Sequence, residues 1–189
     1  MIISISGAPG SGKSTIAKML ATRLTWPRYY MGGLRREAAR KKGLSLAEYN
    51  KLGETDEATD REVDEYQQEL GKNQDNFIIE GRTSWYFIPH SLKIYLDVNP
   101  EAGARRIFSN LQQKNDRNEA NNLNSWQDVE RSAQERITSD NLRYQRYYQI
   151  EVYNQKNYDF YLDTTDLDQN QVFQRVCDYI DGQLDNKKN

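Results

Sequence analysis

Cysteine and histidine each occur once in the 189 residues. Cys177 therefore has no internal partner for a disulfide, and nothing around His90 suggests a nucleophilic triad or zinc ligands. Cys177 lies among Val172, Val176 and Ile180 at helical spacing, which reads as a small buried hydrophobe. Long apolar runs are missing: hydrophobic residues make up 37% of the chain, its mean hydropathy is −0.97, and no stretch approaches the roughly 20 residues of a membrane span. A basic excess is missing too, since 26 Lys and Arg face 28 Asp and Glu for a net charge of −2, which argues against a dedicated nucleic-acid binder. Met1 to Ser6 enter an alternating apolar run with no basic start or cleavage site, so a cytoplasmic protein is expected. The length suits one domain spanning 1–189 with a real core.

Short β-like runs recur between longer amphipathic helices, the pattern of a parallel βαβ architecture. Ile2, Ile3 and Ile5 begin the first strand, and Ile16, Ala17, Leu20 and Leu24 mark one face of a helix over 13–24. A short strand near 29–31 precedes a basic helix opened by Gly32-Gly33 and closed by Gly43. Ser45 and Glu48 form a capping-box pattern, and a polar helix runs from about Glu57 to Gly71. Phe77-Ile78-Ile79 reads as a central strand ending in Glu80-Gly81, Leu92–Leu96 as the next, and Asn99-Pro100 as a helix start. The segment 112–124 has too little apolar surface to pack firmly and is expected to be a mobile excursion. Ser125 to Asp128 restarts a helix toward Tyr148, Phe160–Leu162 is a last strand, and Val172–Leu184 a last helix.

Gly7-Ala8-Pro9-Gly10-Ser11-Gly12-Lys13-Ser14 matches G-x-x-x-x-G-K-[ST] between a predicted strand and a predicted helix, the context of a true P-loop. Glycines let successive amides point inward, and the helix start adds its positive end to cradle a polyphosphate. Lys13 should bridge the terminal phosphates and Ser14 offer its hydroxyl to Mg²⁺. Without an N-K-x-D tetrad, a guanine-specific switch is disfavoured. Glu80, at the carboxyl end of an apolar strand, stands where a carboxylate can hold Mg²⁺ through water.

Arginines recur at 35, 36, 82, 105, 106, 117, 131, 136, 143 and 146, as a kinase for a second anion needs, although solvated helix faces would look similar. Arg136, Asp140 and Arg143 share one helix face, either as a surface ladder or as a clamp in which Asp140 fixes the arginines and accepts from a sugar hydroxyl. Asp60 and Asp64 read as a solvated face. The thirteen tyrosines, dense over 144–161, read as half-buried packing.

Taken in order, Gly7 to Thr15, Gly32 to Ala39, Lys42 to Ser45, Asp60 to Asp64, Ile79 to Arg82 with Trp85, Ala104 to Ile107, Arg136 to Tyr144 and Tyr158 to Thr165 resemble the compact cytidylate kinases common in archaea. The resemblance implies a three-layer α/β doubly wound P-loop NTPase fold with a mainly parallel sheet, an acceptor-binding helical region at about 32–71 and a small mobile lid at about 105–143. It implies ATP binding by 7–15, Arg36 on the acceptor phosphate, Arg82 on the acceptor nucleotide, Arg106 as a lid arginine, and Arg136, Asp140 and Arg143 near acceptor sugar and phosphate. Lys13, Arg106, Arg136 and Arg143 would be catalytic, and Ser14 and Glu80 would serve Mg²⁺. Thr164 and Thr165 would border the donor base. Met31, Gly103 and Asn110 depart from the pattern, and Tyr148-Gln149-Ile150-Glu151 stands for a usual Tyr-Gly-Ile-Asp. The implied reaction is phosphorylation of CMP and dCMP by ATP, with a monomer favoured and neither nucleic acid nor membrane as partner. A UMP or AMP kinase on the same fold, a nucleotide-sensing module and a nucleic-acid-associated ATPase are the alternatives.

Overall fold

The computed structural model describes residues 1–112 and 123–186. Most of the polar segment expected to be mobile, including Arg117, lies outside the described residues.

Five parallel strands form one sheet in the order β2-β3-β1-β4-β5. They are β1 (Ile2–Gly7), β2 (Arg28–Tyr30), β3 (Phe77–Glu80), β4 (Leu92–Asp97) and β5 (Phe160–Asp163). Alternation along the strands builds two apolar layers. On one face Ile3, Ile5, Ile78, Ile94 and Leu96 meet Ile16, Ala17 and Leu20 of α1 (Lys13–Leu24) and Val172, Val176, Cys177 and Ile180 of α8 (Gln169–Asn186). On the other, Ile2, Phe77 and Ile79 meet Met31 of α2 (Met31–Lys41), Leu70 of α4 (Ala58–Asn73) and Ile88. Helices on both faces of a parallel sheet make the expected three-layer α/β fold. Cys177 is buried in the first layer.

β1 is central, and the chain winds from it toward β2 and β3 on one side and β4 and β5 on the other. That reversal opens a crevice at the carboxyl ends of the strands, the usual ligand position in such sheets. Local signals place the elements around it. Ser45 accepts from the Glu48 amide at 3.2 Å while Glu48 accepts from the Ser45 amide at 2.7 Å, starting α3 (Leu46–Gly53). Asn99 caps α6 (Pro100–Leu111) and Ser125 caps α7 (Trp126–Tyr148). Those last two helices share a small core of Ala104, Ile107 and Val129. The four-residue α5 (Ser84–Phe87) was not foreseen, since so short a helix shows no period. The basic helix begins at Met31 itself, whose side chain is buried in the second apolar layer.

Candidate active site

The ends of β1, β2 and β3 bring the P-loop, Tyr30 and Glu80 to one edge. Gly10 and Gly12 hold φ of +83° and +86°, left-handed conformations that would strain other residues. The Ala8 amide donates to Leu96 O at 3.1 Å, tying the loop to β4. Lys13 Nζ donates to Ala8 O at 3.1 Å, folding the ammonium over the loop.

Two chambers meet here. The P-loop, Arg106, Leu167 and Gln169 line one; Tyr30, Arg36, Glu80, Arg82 and Arg136 line the other. Lys13 and Ser14 belong to both walls.

Arg106 stands on the P-loop side, apart from the other arginines expected in the site. Its Nη2 donates to Thr164 O at 2.8 Å and Thr165 O at 3.0 Å, and its Nη1 to Thr164 Oγ1 at 3.1 Å. It thereby fixes the turn that carries Thr164 and Thr165. Glu80 is 1% exposed. Its Oε1 accepts from Arg28 Nε at 2.6 Å, and Oε2 is buried without a hydrogen-bond partner among the described residues. A buried carboxylate oxygen left unpaired in the chamber that Ser14 also lines suits a hydrated cation. Among the described residues no group of three His, Cys, Asp or Glu could hold a metal by itself, so phosphate oxygens would have to supply most ligands.

Several expectations are corrected. Asp60 and Asp64 are 3% and 5% exposed, not a solvated face. Asp60 Oδ1 accepts from Arg35 Nη1 and from Arg143 Nη1, each at 2.5 Å. Arg35 is thus a buried structural cation, held also by Asn50 at 2.8 Å, and joins no anion site. Arg143 is fully buried between Asp60 and Asp140, and neither Arg143 nor Asp140 lines either chamber. Of the predicted helix-face triad only Arg136 reaches the cleft; the other two stand behind it. The partners of Asp60 come from α2 and α7, distant in sequence, so a local reading of α4 sees only a polar helix. Arg105, Arg131 and Arg146 are exposed on solvated helix faces.

Burial works to raise the Asp140 pKa, yet the guanidiniums of Arg82, Arg143 and Arg136 outweigh it and hold the carboxyl at about 2. Asp64 shows the opposite balance. Burial pushes its carboxyl up to about 7, against a hydrogen bond from Tyr148.

Three residues that sequence reading left without a role belong to the site. Arg28 holds Glu80. Tyr30 lies across Gly32 and Gly33, where added Cβ atoms would fall 2.7 and 2.8 Å from its ring, and its hydroxyl accepts from Arg36 Nη1. Tyr153 sits between Arg82 and Asp140. Nothing in spacing or motif marks any of the three, because each acts on a partner from another element.

Residues 2–166 match the family described as cytidylate kinase-like. A cytidylate kinase of Methanospirillum hungatei is 35% identical over 165 residues, covering 87% of each chain. One from Pyrobaculum islandicum is 34% identical over 182 residues, 95% of this chain and 92% of that one. Among solved structures, shikimate kinase from Bacteroides thetaiotaomicron superposes with a TM-score of 0.63 at 15% identity, covering 96% of this chain and 98% of that one, a likeness of fold.

Proposed function

Because the chain belongs to the cytidylate kinase-like family, we propose that it transfers the terminal phosphoryl group of ATP to CMP and dCMP, giving ADP and the pyrimidine diphosphate. The observation that carries this reading is the pair of chambers joined at Lys13 and Ser14. A nucleotide sensor needs one chamber; phosphoryl transfer needs two, meeting where the group changes hands.

The P-loop residues Gly7 to Thr15 bind the donor phosphates through backbone amides and the amino end of α1. Arg106 keeps the 164–167 turn in place beside the donor base. The acceptor lies in the second chamber, its phosphate against Arg36, Arg82 and Arg136. Asp140 acts on it from behind by holding Arg82, and Arg143 by fixing Asp140. The acceptor phosphate is already ionised near neutral pH, so its oxygen attacks the terminal phosphorus in line without a general base. Lys13 leaves Ala8 O for the transferring group, and the arginines neutralise the charge gathered there. Ser14 and Glu80 would hold Mg²⁺, which would supply further charge neutralisation at the phosphates. The acceptor region over 32–71 and the described parts of the lid, 105–112 and 123–143, close on the nucleotides to exclude water. Among the described residues no helix is long and apolar enough to cross a membrane.

A coupled assay of ADP release across CMP, dCMP, UMP, AMP and GMP tests this. Turnover with CMP and dCMP well above the others is expected; activity confined to AMP, or none with any monophosphate, would overturn it.

A further inference from the structure

Arg82 leaves the carboxyl end of β3 and lines the second chamber with Arg36 and Arg136. Behind it stands a three-member contact. Arg82 Nε donates to Tyr153 Oη at 2.7 Å, and Tyr153 Oη donates to Asp140 Oδ2 at 2.8 Å. Arg82 Nε also lies against the same Oδ2. The phenol therefore accepts from the cation and donates to its carboxylate partner. Only a neutral phenol can do both. Burial holds its pKa well above the usual tyrosine value, outweighing Arg82, so the proton stays on Tyr153 across the working pH range.

The other two members are rigidly held. Asp140 Oδ1 accepts from Arg143 Nη2, and Arg143 is fixed by Asp60 at 2.5 and 2.6 Å, so the carboxylate cannot swing without breaking a buried pair. Tyr153 sits on a loop stapled by its own side chains. Tyr158 Oη donates to Val152 O at 2.6 Å, Asn157 Nδ2 donates to Glu151 O at 2.7 Å, and Val152 is fully buried. A guanidinium is planar, so holding Nε in a set direction also sets the directions of its two Nη groups.

We propose that Tyr153 is a positioning residue for the acceptor: its hydroxyl engages Arg82 Nε and shares Asp140, so that the Nη edge of Arg82 faces the chamber instead of the carboxylate. Without the hydroxyl, Arg82 and Asp140 close into a direct two-point pair that draws an Nη group away from the acceptor. The proposal rests on the functional reading above, which places the acceptor against Arg82.

Tyr153→Phe keeps the ring and removes the hydroxyl. Its KM for CMP should rise about tenfold, with KM for ATP within about twofold of the parent and a melting temperature lower by a few degrees at most. In an Arg82→Met background, the same substitution should add less than about twofold, since the phenol acts through Arg82. An unchanged KM for CMP, an equal rise in both KM values, or an equal loss in both backgrounds would overturn the proposal. A parent enzyme idle on every monophosphate would overturn the functional reading as well, whereas an active parent with an indifferent Tyr153→Phe variant defeats the positioning role alone.

Discussion

Gly103 lies backbone to backbone against Gly10: a Cβ added to Gly10 would fall 2.5 Å from Gly103 Cα, and one added to Gly103 would fall 2.6 Å from Pro9 O. α6 thus rests directly on the phosphate loop. A residue that looked like a departure from a family pattern is required in this chain by the closeness of the two backbones. Gly103→Ala should cost about 1–3 kcal/mol in stability and raise KM for ATP several-fold, because either the loop or the helix must shift. Thermal unfolding and ATP saturation curves read both effects; an unchanged KM for ATP would contradict this coupling.

Lys13 is the cation shared by the two chambers. Lys13→Ala should slow turnover on the order of 10³-fold while leaving far-ultraviolet circular dichroism unchanged, because the ammonium folds over the phosphate loop, onto Ala8 O. Near-normal turnover would remove it from the chemistry.

Asp60 is the anion between Arg35 and Arg143, all of them buried. Asp60→Ala leaves two guanidiniums short of a partner, and urea unfolding should show a loss of about 3–5 kcal/mol. A loss no greater than that of a surface carboxylate would mean the network is solvated.

Asp140 and Asp64 should bend the pH dependence of stability in opposite directions. The folded pKa of Asp140, about 2, lies below its reference value of 3.8, so its contribution is full above about pH 4 and is lost as the pH falls toward 2. That of Asp64, about 7, lies above 3.8. The folded state then holds the proton more tightly, and stability declines as pH rises from about 4 to 7. Asp64→Asn cannot titrate and should flatten that decline in urea midpoints; an identical slope in parent and variant would disprove it.

Gln149 ends α7 with φ 57° and ψ 36°, and its side chain is exposed. Gln149→Gly should raise stability by up to about 1 kcal/mol, since glycine adopts this conformation without strain. A lowered melting temperature would show that the side chain does something its exposure hides.

β1, β3, β4 and β5 were legible in their apolar runs, whereas β2, Arg28-Tyr29-Tyr30, has none and was read one residue late; α1 was legible from Lys13 to Leu24, matching its observed limits. Caps at Ser45, Asn99 and Ser125 marked three helix starts because a cap and its amide lie within one turn. α5 escaped notice for want of length, and α8 begins at Gln169, ahead of its first buried residue, Val172. The Arg136, Asp140 and Arg143 spacing was visible, but which of the three would meet the cleft was not.

What sequence alone determines here is local: an eight-residue phosphate loop whose ligands are its own consecutive amides, and periodicities that reveal which faces turn inward. Tertiary structure decided which charges are buried and what they hold. Arg143 meets Asp60 across 83 positions and Arg82 meets Tyr153 across 71. No spacing rule spans such distances, because ion pairs and phenol bridges depend on where packed helices set their side chains and not on the order in which the chain was written.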